Sequence, residues 1–300
     1  VSSFQTKELR VTFTLGQGGN TFPGTTSNQL VLTGLRTIAT ISGAFGFLTQ
    51  LDLEVYGMRS DDMNALSVIT GVPGFPTAIG KNQVLLEGNQ GSGWFTLFNG
   101  LILEGGPEYR QMPEVFYHCQ AVPAPYFQGI GTSTPLSYPS GAQVSQVASD
   151  IASTMGMNVQ NNGVTGSVPK GAYFPGAPLD QLKQLSANSG QFAWTIDPAN
   201  TNSTTGTLVL MAKNQPRTGG TSLTLSPTSG LIGYPTIESF GIGIVALFDP
   251  ALLLGAQFAI SGSDIPAANG TWMAYQLSYQ LEQLAFGGQW FAAMHCMAPG

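Results

Sequence analysis

Phe116-Tyr117-His118-Cys119 is an apolar run ending in a His-Cys pair, and the chain spells the same pattern again as Ala293-Met294-His295-Cys296. A tryptophan stands upstream of each, in Gly93-Trp94 and in Thr271-Trp272, with Trp-to-Cys spacings of 25 and 24 residues. Spaced identities inside matched apolar runs read as one β-module present twice. Between the two copies the hydrophobic period changes, so the chain reads as module, insert, module.

Working back from the first copy, strand-like runs cover Leu9 to Leu15, Gln29 to Ile41, Thr49 to Tyr56, Val84 to Leu86, Trp94 to Leu103 and Glu114 to Val122, punctuated by Gly, Asn and Pro. In Leu51-Asp52-Leu53-Glu54-Val55-Tyr56 a period of two puts the aliphatic residues on one face and both acids on the other, the signature of a half-buried strand. Ser60 is expected to cap a short helix through Met63, Leu66 and Ile69 that stops at Gly71 and Pro73, an insertion near residues 60–81.

The middle of the chain has helical spacing. Val144, Val147, Ala148, Ile151 and Met155 share a face, and Gly156 follows as a stop. Pro178 suits a first helical turn, Leu179, Leu182 and Leu185 share a face, and Gly190 ends the segment. Phe192 to Ile196 and Thr207 to Met211 then read as a hairpin around Asp197-Pro198-Ala199-Asn200. These readings give three domains: 1–137, mainly β; 138–217, a small α/β insert; and 218–300, mainly β, which takes in strands from 120–137 if its first strands begin there.

From Phe240 to Ile260 the chain is almost wholly apolar and long enough for a membrane helix, but Asp249-Pro250 sits at its centre among Gly241, Gly243 and Gly255. Two apolar strands joined by a turn are the expectation, with no membrane anchor.

Charge is the unusual quantity. Asp, Glu, Lys and Arg make up 9% of the 300 residues, against roughly 25% in ordinary soluble domains. Net charge is -6 and hydrophobic residues reach 42%, which excludes a charged, disordered chain. Ten Lys plus Arg are too few for tight nucleic-acid binding, which draws on clustered cations. Beyond residue 217 there is no Lys or Arg at all, while Glu238, Asp249, Asp264 and Glu282 remain. Cys119 and Cys296 are too few for a disulfide scaffold and lack zinc spacing, which predicts a reduced, intracellular birthplace. Val1-Ser2-Ser3-Phe4 does not read as a signal peptide, and the sequons at Asn202 and Asn269 carry no weight without secretion.

Convergent catalytic chemistry is hard to find. His118 and His295 adjoin cysteines within strands, so the two side chains of each pair point to opposite faces and cannot act as a nucleophile and base. Joint metal binding by both His-Cys pairs would need the modules to face each other. Asp52 with Glu54, and Glu104 with Glu108, have carboxylate spacings that a glycosidase could use, yet they read more simply as wet-face acids. Asp61-Asp62 supplies acid to a first helical turn. Gly16-Gln17-Gly18-Gly19 matches no phosphate loop, and Trp94, Phe95, Phe98, Trp290 and Phe291 read as core packing before a sugar groove. No catalytic residue, cofactor site or metal site is expected.

Two passages resemble the baseplate hub proteins of tailed bacteriophages, the family of late-control protein D and the N-terminal part of VgrG spikes. One runs from Gly141-Ala142-Gln143-Val144 through Met155-Gly156-Met157 to Gly171-Ala172-Tyr173-Phe174-Pro175-Gly176-Ala177-Pro178-Leu179-Asp180-Gln181-Leu182, similar to that family's helical insert. The other, Ala268-Asn269-Gly270-Thr271-Trp272 through Gly287-Gly288-Gln289-Trp290-Phe291, is similar to its closing hairpin.

The resemblance implies two tail-tube-like β-barrels flanking the insert, and a homotrimer whose six barrels surround a channel between the tail tube and a central spike. It further implies contacts with other baseplate proteins, a place in the virion tail after assembly in the host bacterial cytoplasm, and genomic DNA passing through without specific binding. Three chains present six similar surfaces only if each carries two. A wall without cations would let DNA slide, and Glu238 and Asp264 are the expected channel-facing acids. The alternatives are a tail-tube or distal-tail ring protein, a cell-wall hydrolase using Glu104 or Asp52, and a carbohydrate-binding module.

Overall fold

The computed structural model describes residues 6–16, 20–67, 81–189, 192–197, 206–218 and 223–300. The first part contains β1 (Glu8–Thr14), β2 (Gln29–Thr33), β3 (Thr37–Ala44), β4 (Gln50–Tyr56), helix α1 (Ser60–Leu66), β5 (Gln83–Asn89), β6 (Trp94–Glu108) and β7 (Phe116–Pro123). The short helix α2 (Pro125–Gly129) leads into β8 (Leu136–Tyr138), β9 (Ala142–Gln143), α3 (Val144–Thr154), β10 (Asn158–Asn162), β11 (Ser167–Val168), β12 (Ala172–Phe174), α4 (Pro178–Asn188), β13 (Ala193–Asp197) and β14 (Thr207–Met211). The last part holds β15 (Leu223–Leu225), β16 (Leu231–Glu238), β17 (Gly241–Leu247), β18 (Gln257–Ile260), a 3-10 turn at Pro266–Ala268, β19 (Gly270–Gln283) and β20 (Trp290–Met297).

The repeated His-Cys motif marks a repeated sheet. In the first half neighbouring strands run β3-β4-β7-β6-β5, and in the second β16-β17-β20-β19-β18. Cys119 pairs with Leu53 of β4 and Gly105 of β6, and Cys296 pairs with Ile242 of β17 and Ala274 of β19. Each long strand also slips register where it meets its His-Cys strand, between Ile102 and Glu104 in β6 and between Ala274 and Gln276 in β19. A bulge adds a residue and increases local twist.

The halves are joined by a ladder. The first residues of β19 bond to β18, while Gln276 to Gln283 run on and pair antiparallel with Ala44 to Thr37 of β3. All these strands lie in one 13-stranded sheet, with β2 at one end of its main path and β16 at the other. The expectation of a mainly β chain therefore holds; among the described residues no ladder closes either half into a barrel. The β19–β3 pairing spends on the junction an edge that a separate barrel would need for its own closure.

Burial follows the same continuity. Phe13, Leu51, Leu53, Val55, Tyr117 and Cys119 share one core with Ile244, Phe258, Leu281, Met294 and Cys296. The alternation read in Leu51 to Tyr56 is borne out, with Leu51, Leu53 and Val55 fully buried; each such side chain contributes about 1.5–3 kcal/mol when removed from water.

A second core, from Val144 to Leu210, belongs to the insert. Helix α3 buries Val144, Val147, Ala148 and Ile151 as its spacing predicts. Its last turn closes when Gly156 N–H donates to Ser153 O and Met157 N–H to Ala152 O, with Gly156 at φ 67°. That left-handed position favours glycine, and the two bonds satisfy carbonyls the helix would leave open. Pro178 opens α4 and Leu179, Leu182 and Leu185 are buried; Gly190, read as its stop, lies outside the described residues. β13 pairs antiparallel with β14, so the hairpin stands, although Pro198 to Asn200 of its loop lie outside the described residues.

One local reading changes and another is borne out. Ser60 is not the cap of α1 but its first residue: Arg59 occupies the capping position, extended, with no side-chain hydrogen bond. The helix closes at Leu66, and Ile69, Gly71 and Pro73 lie outside the described residues. The apolar run from Phe240 to Ile260 forms β17 and β18, and Asp249 Oδ1 accepts the Ala251 N–H at 2.8 Å in the connection. Among the described residues no helix is long and apolar enough to cross a membrane.

Candidate functional site

Strand alternation gives the sheet a second face, turned away from the core. One row across it reads Gln280, Thr40, Asp52, Gln120, Glu104, and another Glu282, Ile38, Glu54, His118, Gly106. A third reads Thr236, Gly243, His295, Gln276, Ala44. The nine neighbouring strands from β16 through β5 contain no lysine or arginine. Three arginines at the flanks are held by acids. Arg10 in β1 makes two 2.7 Å bonds to Glu87, Arg36 just before β3 donates to Glu114 at 3.0 Å, and Arg110 beyond β6 grips Glu108.

The histidines take equivalent places on this face. Cys119 and Cys296 point into the core, while His118 and His295 point out and stay partly exposed, so the expected division of the pair is borne out. Burial raises the Cys119 thiol pKa strongly, and burial with the nearby Glu238 charge raises that of Cys296 to about 12, so neither is a nucleophile at neutral pH.

Each histidine meets a carboxylate by a different route. His118 Nε2 lies 3.2 Å from Asp52 on the adjacent strand β4, and Asp52 also accepts from Gln120 Nε2 at 3.3 Å. His295 Nδ1 lies 2.8 Å from Glu238, which stands two strands away on β16. The intervening strand carries Gly243, whose missing side chain makes the contact possible: a Cβ there would sit 2.4 Å from Glu238 Oε1 and 2.7 Å from Thr236 Oγ1.

Of the two acids expected to face a channel, Glu238 thus lies at the edge of the outward face, engaged with His295. Asp264 is exposed in the connection between β18 and β19, off the strand ladder. Asp52, Glu54, Glu104 and Glu282 also lie on the face; the wet side of Leu51 to Tyr56 marked the first two, but cross-strand register is needed to place all four together.

The geometry offers little for acid-base chemistry. Arg110, bonding through its side chain and backbone N–H, lowers the Glu108 carboxyl to about 2, so Glu108 is ionised and cannot donate a proton near neutrality. Asp52 is committed to His118 and Gln120, and Glu54 accepts from the Tyr56 hydroxyl at 2.8 Å. Among the described residues no group of three or more His, Cys, Asp or Glu side chains is arranged to hold a metal.

The comparisons with known proteins agree with this architecture. The family model described as "Baseplate hub gp41" matches residues 74–286. The 43 kDa tail protein of prophage MuSo2 from Shewanella oneidensis superposes with a TM-score of 0.61 at 11% identity, over 98% of each chain. A tail protein from Neisseria meningitidis MC58 gives 0.60 at 10% identity, over 98% of this chain and 97% of that one. The E. coli c3393 protein, described as a component of the type VI secretion system with structural similarity to T4 tail proteins gp27 and gp5, gives 0.56 at 12% identity, over 89% and 74%. At such identities the likeness is one of fold. No curated protein matches the sequence.

Proposed function

The chain belongs to the baseplate hub gp41 family of phage tail proteins, and from that premise we propose that it is a structural, non-catalytic hub, a trimeric adaptor that joins the tail tube to the central spike and forms part of the DNA channel. The observation that carries this reading is the outward face of the sheet: nine adjacent strands without a cation, presenting Gln, Ser, Thr and carboxylates. DNA adheres to proteins mainly through Lys and Arg on its phosphates. A wall of neutral and acidic side chains offers no such contacts, and low-charge remaining surfaces suit protein interfaces, whose cores deplete Lys, Glu and Asp.

The duplicated strand order supports the stoichiometry. Three copies would supply six similar tube-like units, with residues 1–137 and 218–300 as the two units of a chain and residues 138–217 as the insert between them. Glu238 and Asp264 face the channel in this arrangement, and assembly with tube, spike and other baseplate proteins takes place in the host cytoplasm before the virion is complete.

Native mass spectrometry of the purified chain, alone and with tube and spike proteins, tests the proposal. Three copies are expected. Six would indicate a tube or distal-tail ring, and a persistent monomer with both partners present would overturn the adaptor. Glu238→Lys and Asp264→Lys are expected to slow DNA ejection; normal ejection by both would remove them from the channel wall.

A further inference from the structure

Strand alternation gives the insert, like the large sheet, a second face. Trp194 and Ile196 of β13 and Leu208 and Leu210 of β14 belong to the insert core, so the residues that alternate with them point the other way. Thr195 and Asp197, with Val209 and Met211 on β14, make up that face. Val209 and Met211 are almost fully buried yet belong to neither core, as expected where the insert rests on the large sheet.

Beneath Thr195 and Asp197 lies the ladder that joins the halves. A small cavity of about 40 Å³ is lined by both residues, by Ile41 and Gly43 of β3, and by Leu277 and Tyr279 of β19. Leu277 pairs with Gly43 and Tyr279 with Ile41, so the first half, the second half and the insert all meet here. Gly43 leaves the room: a Cβ there would lie 2.8 Å from Thr49 Oγ1 and 3.1 Å from Leu254 Cδ1, both residues of the cavity wall.

The cavity carries polar groups that a dry void would leave unmet. Thr195 is 3% exposed, and its hydroxyl has no hydrogen-bond partner among the described residues. A buried hydroxyl in that condition is costly. Asp197 Oδ2 accepts from Arg217 at 2.7 Å, with side chains only 18% and 15% exposed, and the other carboxylate oxygen can accept as well. Tyr279 donates its hydroxyl to Leu252 O, which leaves the phenolic oxygen able to accept.

We propose that this cavity binds ordered water, which ties Thr195 and Asp197 of the insert to the junction of β3 and β19. A cavity takes a water once it offers about 10–15 Å³ and two to four polar partners, so there is room for about two or three molecules. Thr49, Thr195, Asp197 and Tyr279 supply the partners. An organic ligand needs roughly 300 Å³ or more, and a cation would meet the Arg217 charge. The insert is thereby held to the sheet through exchangeable bonds, whether or not the chain assembles into a ring.

A high-resolution crystal structure of the full chain, with hydrogen exchange on Thr195→Val and Thr195→Ser, tests the site. Water density within hydrogen-bond reach of Thr195 Oγ1 and the Asp197 carboxylate is expected. Valine keeps the shape and removes the hydroxyl, leaving the water one partner short. Exchange of the β13 and β14 amides should then speed up about fivefold, the worth of one net hydrogen bond, while the β3–β19 amides keep their protection. Serine should match the unaltered chain. A dry cavity overturns the proposal, and so does Thr195→Val that leaves exchange unchanged or slows it, because removing an unpaired hydroxyl from a dry site relieves its cost. Loss in Thr195→Ser equal to that in Thr195→Val, or equal acceleration at the β3–β19 amides, overturns it as well.

Discussion

The two halves of the sheet solve the same problem with different residues. Leu53 and Ile242 face the two cysteines from equivalent strands, which makes Asp52 and Glu54 on β4 the counterparts of Gly241 and Gly243 on β17. In the first half the strand beside the histidine supplies the acid. In the second that strand is glycine and a longer side chain reaches across it from β16. What the halves share is a carboxylate beside an outward histidine, obtained once by proximity and once by leaving a gap.

The largest expected effects test whether the halves fold as one unit. Tyr117 and Met294 are equivalent core residues preceding the histidines, both nearly inaccessible. Tyr117→Ala should cost about 3–5 kcal/mol and Met294→Ala about 2–5 kcal/mol, as for other large core truncations. Because both lie in one core and one ladder, either variant should lower the midpoint of a single urea transition for the sheet strands. Two separated sheet transitions, followed by hydrogen exchange, would break the halves apart.

Gly243→Val comes next. Its branched Cβ would displace Glu238 and press on Thr236, at an expected cost of about 1–3 kcal/mol. The counterpart change, Glu54→Val, lies on the partly exposed outward face and gives up the Tyr56 hydrogen bond, and should stay within about 1 kcal/mol. Equal losses at the two positions would show that the glycine gap is not what separates the halves.

Alkaline pH should act on both halves in the same direction. Burial raises the folded-state pKa of both cysteines and of Tyr117 and Tyr279 above ordinary values. A group so raised contributes stability that is intact below its unfolded pKa and is lost as pH climbs toward the folded one. The urea midpoint should therefore fall from about pH 8.5, the ordinary thiol value, upward. Both thiols should resist a disulfide reagent at pH 8 until the chain unfolds; fast labelling of one alone would mark its half as loosely packed.

The smallest effects belong to the ion pairs. His118 and Asp52 are 36% and 48% exposed, so Asp52→Asn should shift stability by less than about 1 kcal/mol, and Glu238→Gln by a similar amount. A large loss at either site would give that pair a structural role the other lacks.

Local signals in the sequence carried much of this. The Trp-to-Cys repeat pointed to the duplicated strand order, the spacing from Val144 to Met155 to helix α3, and Asp249-Pro250 to the break between β17 and β18. The pairings that organise the outward face were not legible, because register between distant strands leaves no local mark. Nothing near Gln276 announces that it lies beside Ala44, and Glu238 meets His295 only through an absent side chain on a third strand. Asp264 shared the cation-free neighbourhood of Glu238, but composition alone does not separate a strand position from a loop. Ser60 shows the converse limit: a good capping residue is passed over when the chain enters the helix one residue earlier.

The ladder between β3 and β19 also has a consequence in time. Its partners are separated by most of the chain, so the ribosome releases β3 long before β19 exists. The insert, whose contacts are close in sequence, can collapse meanwhile. Until residues 276–283 emerge, the edge of β3 is bare main chain, a template for any passing strand. Synthesis halted before that point leaves a sticky fragment, and elongation through residue 283 supplies the strand that covers it.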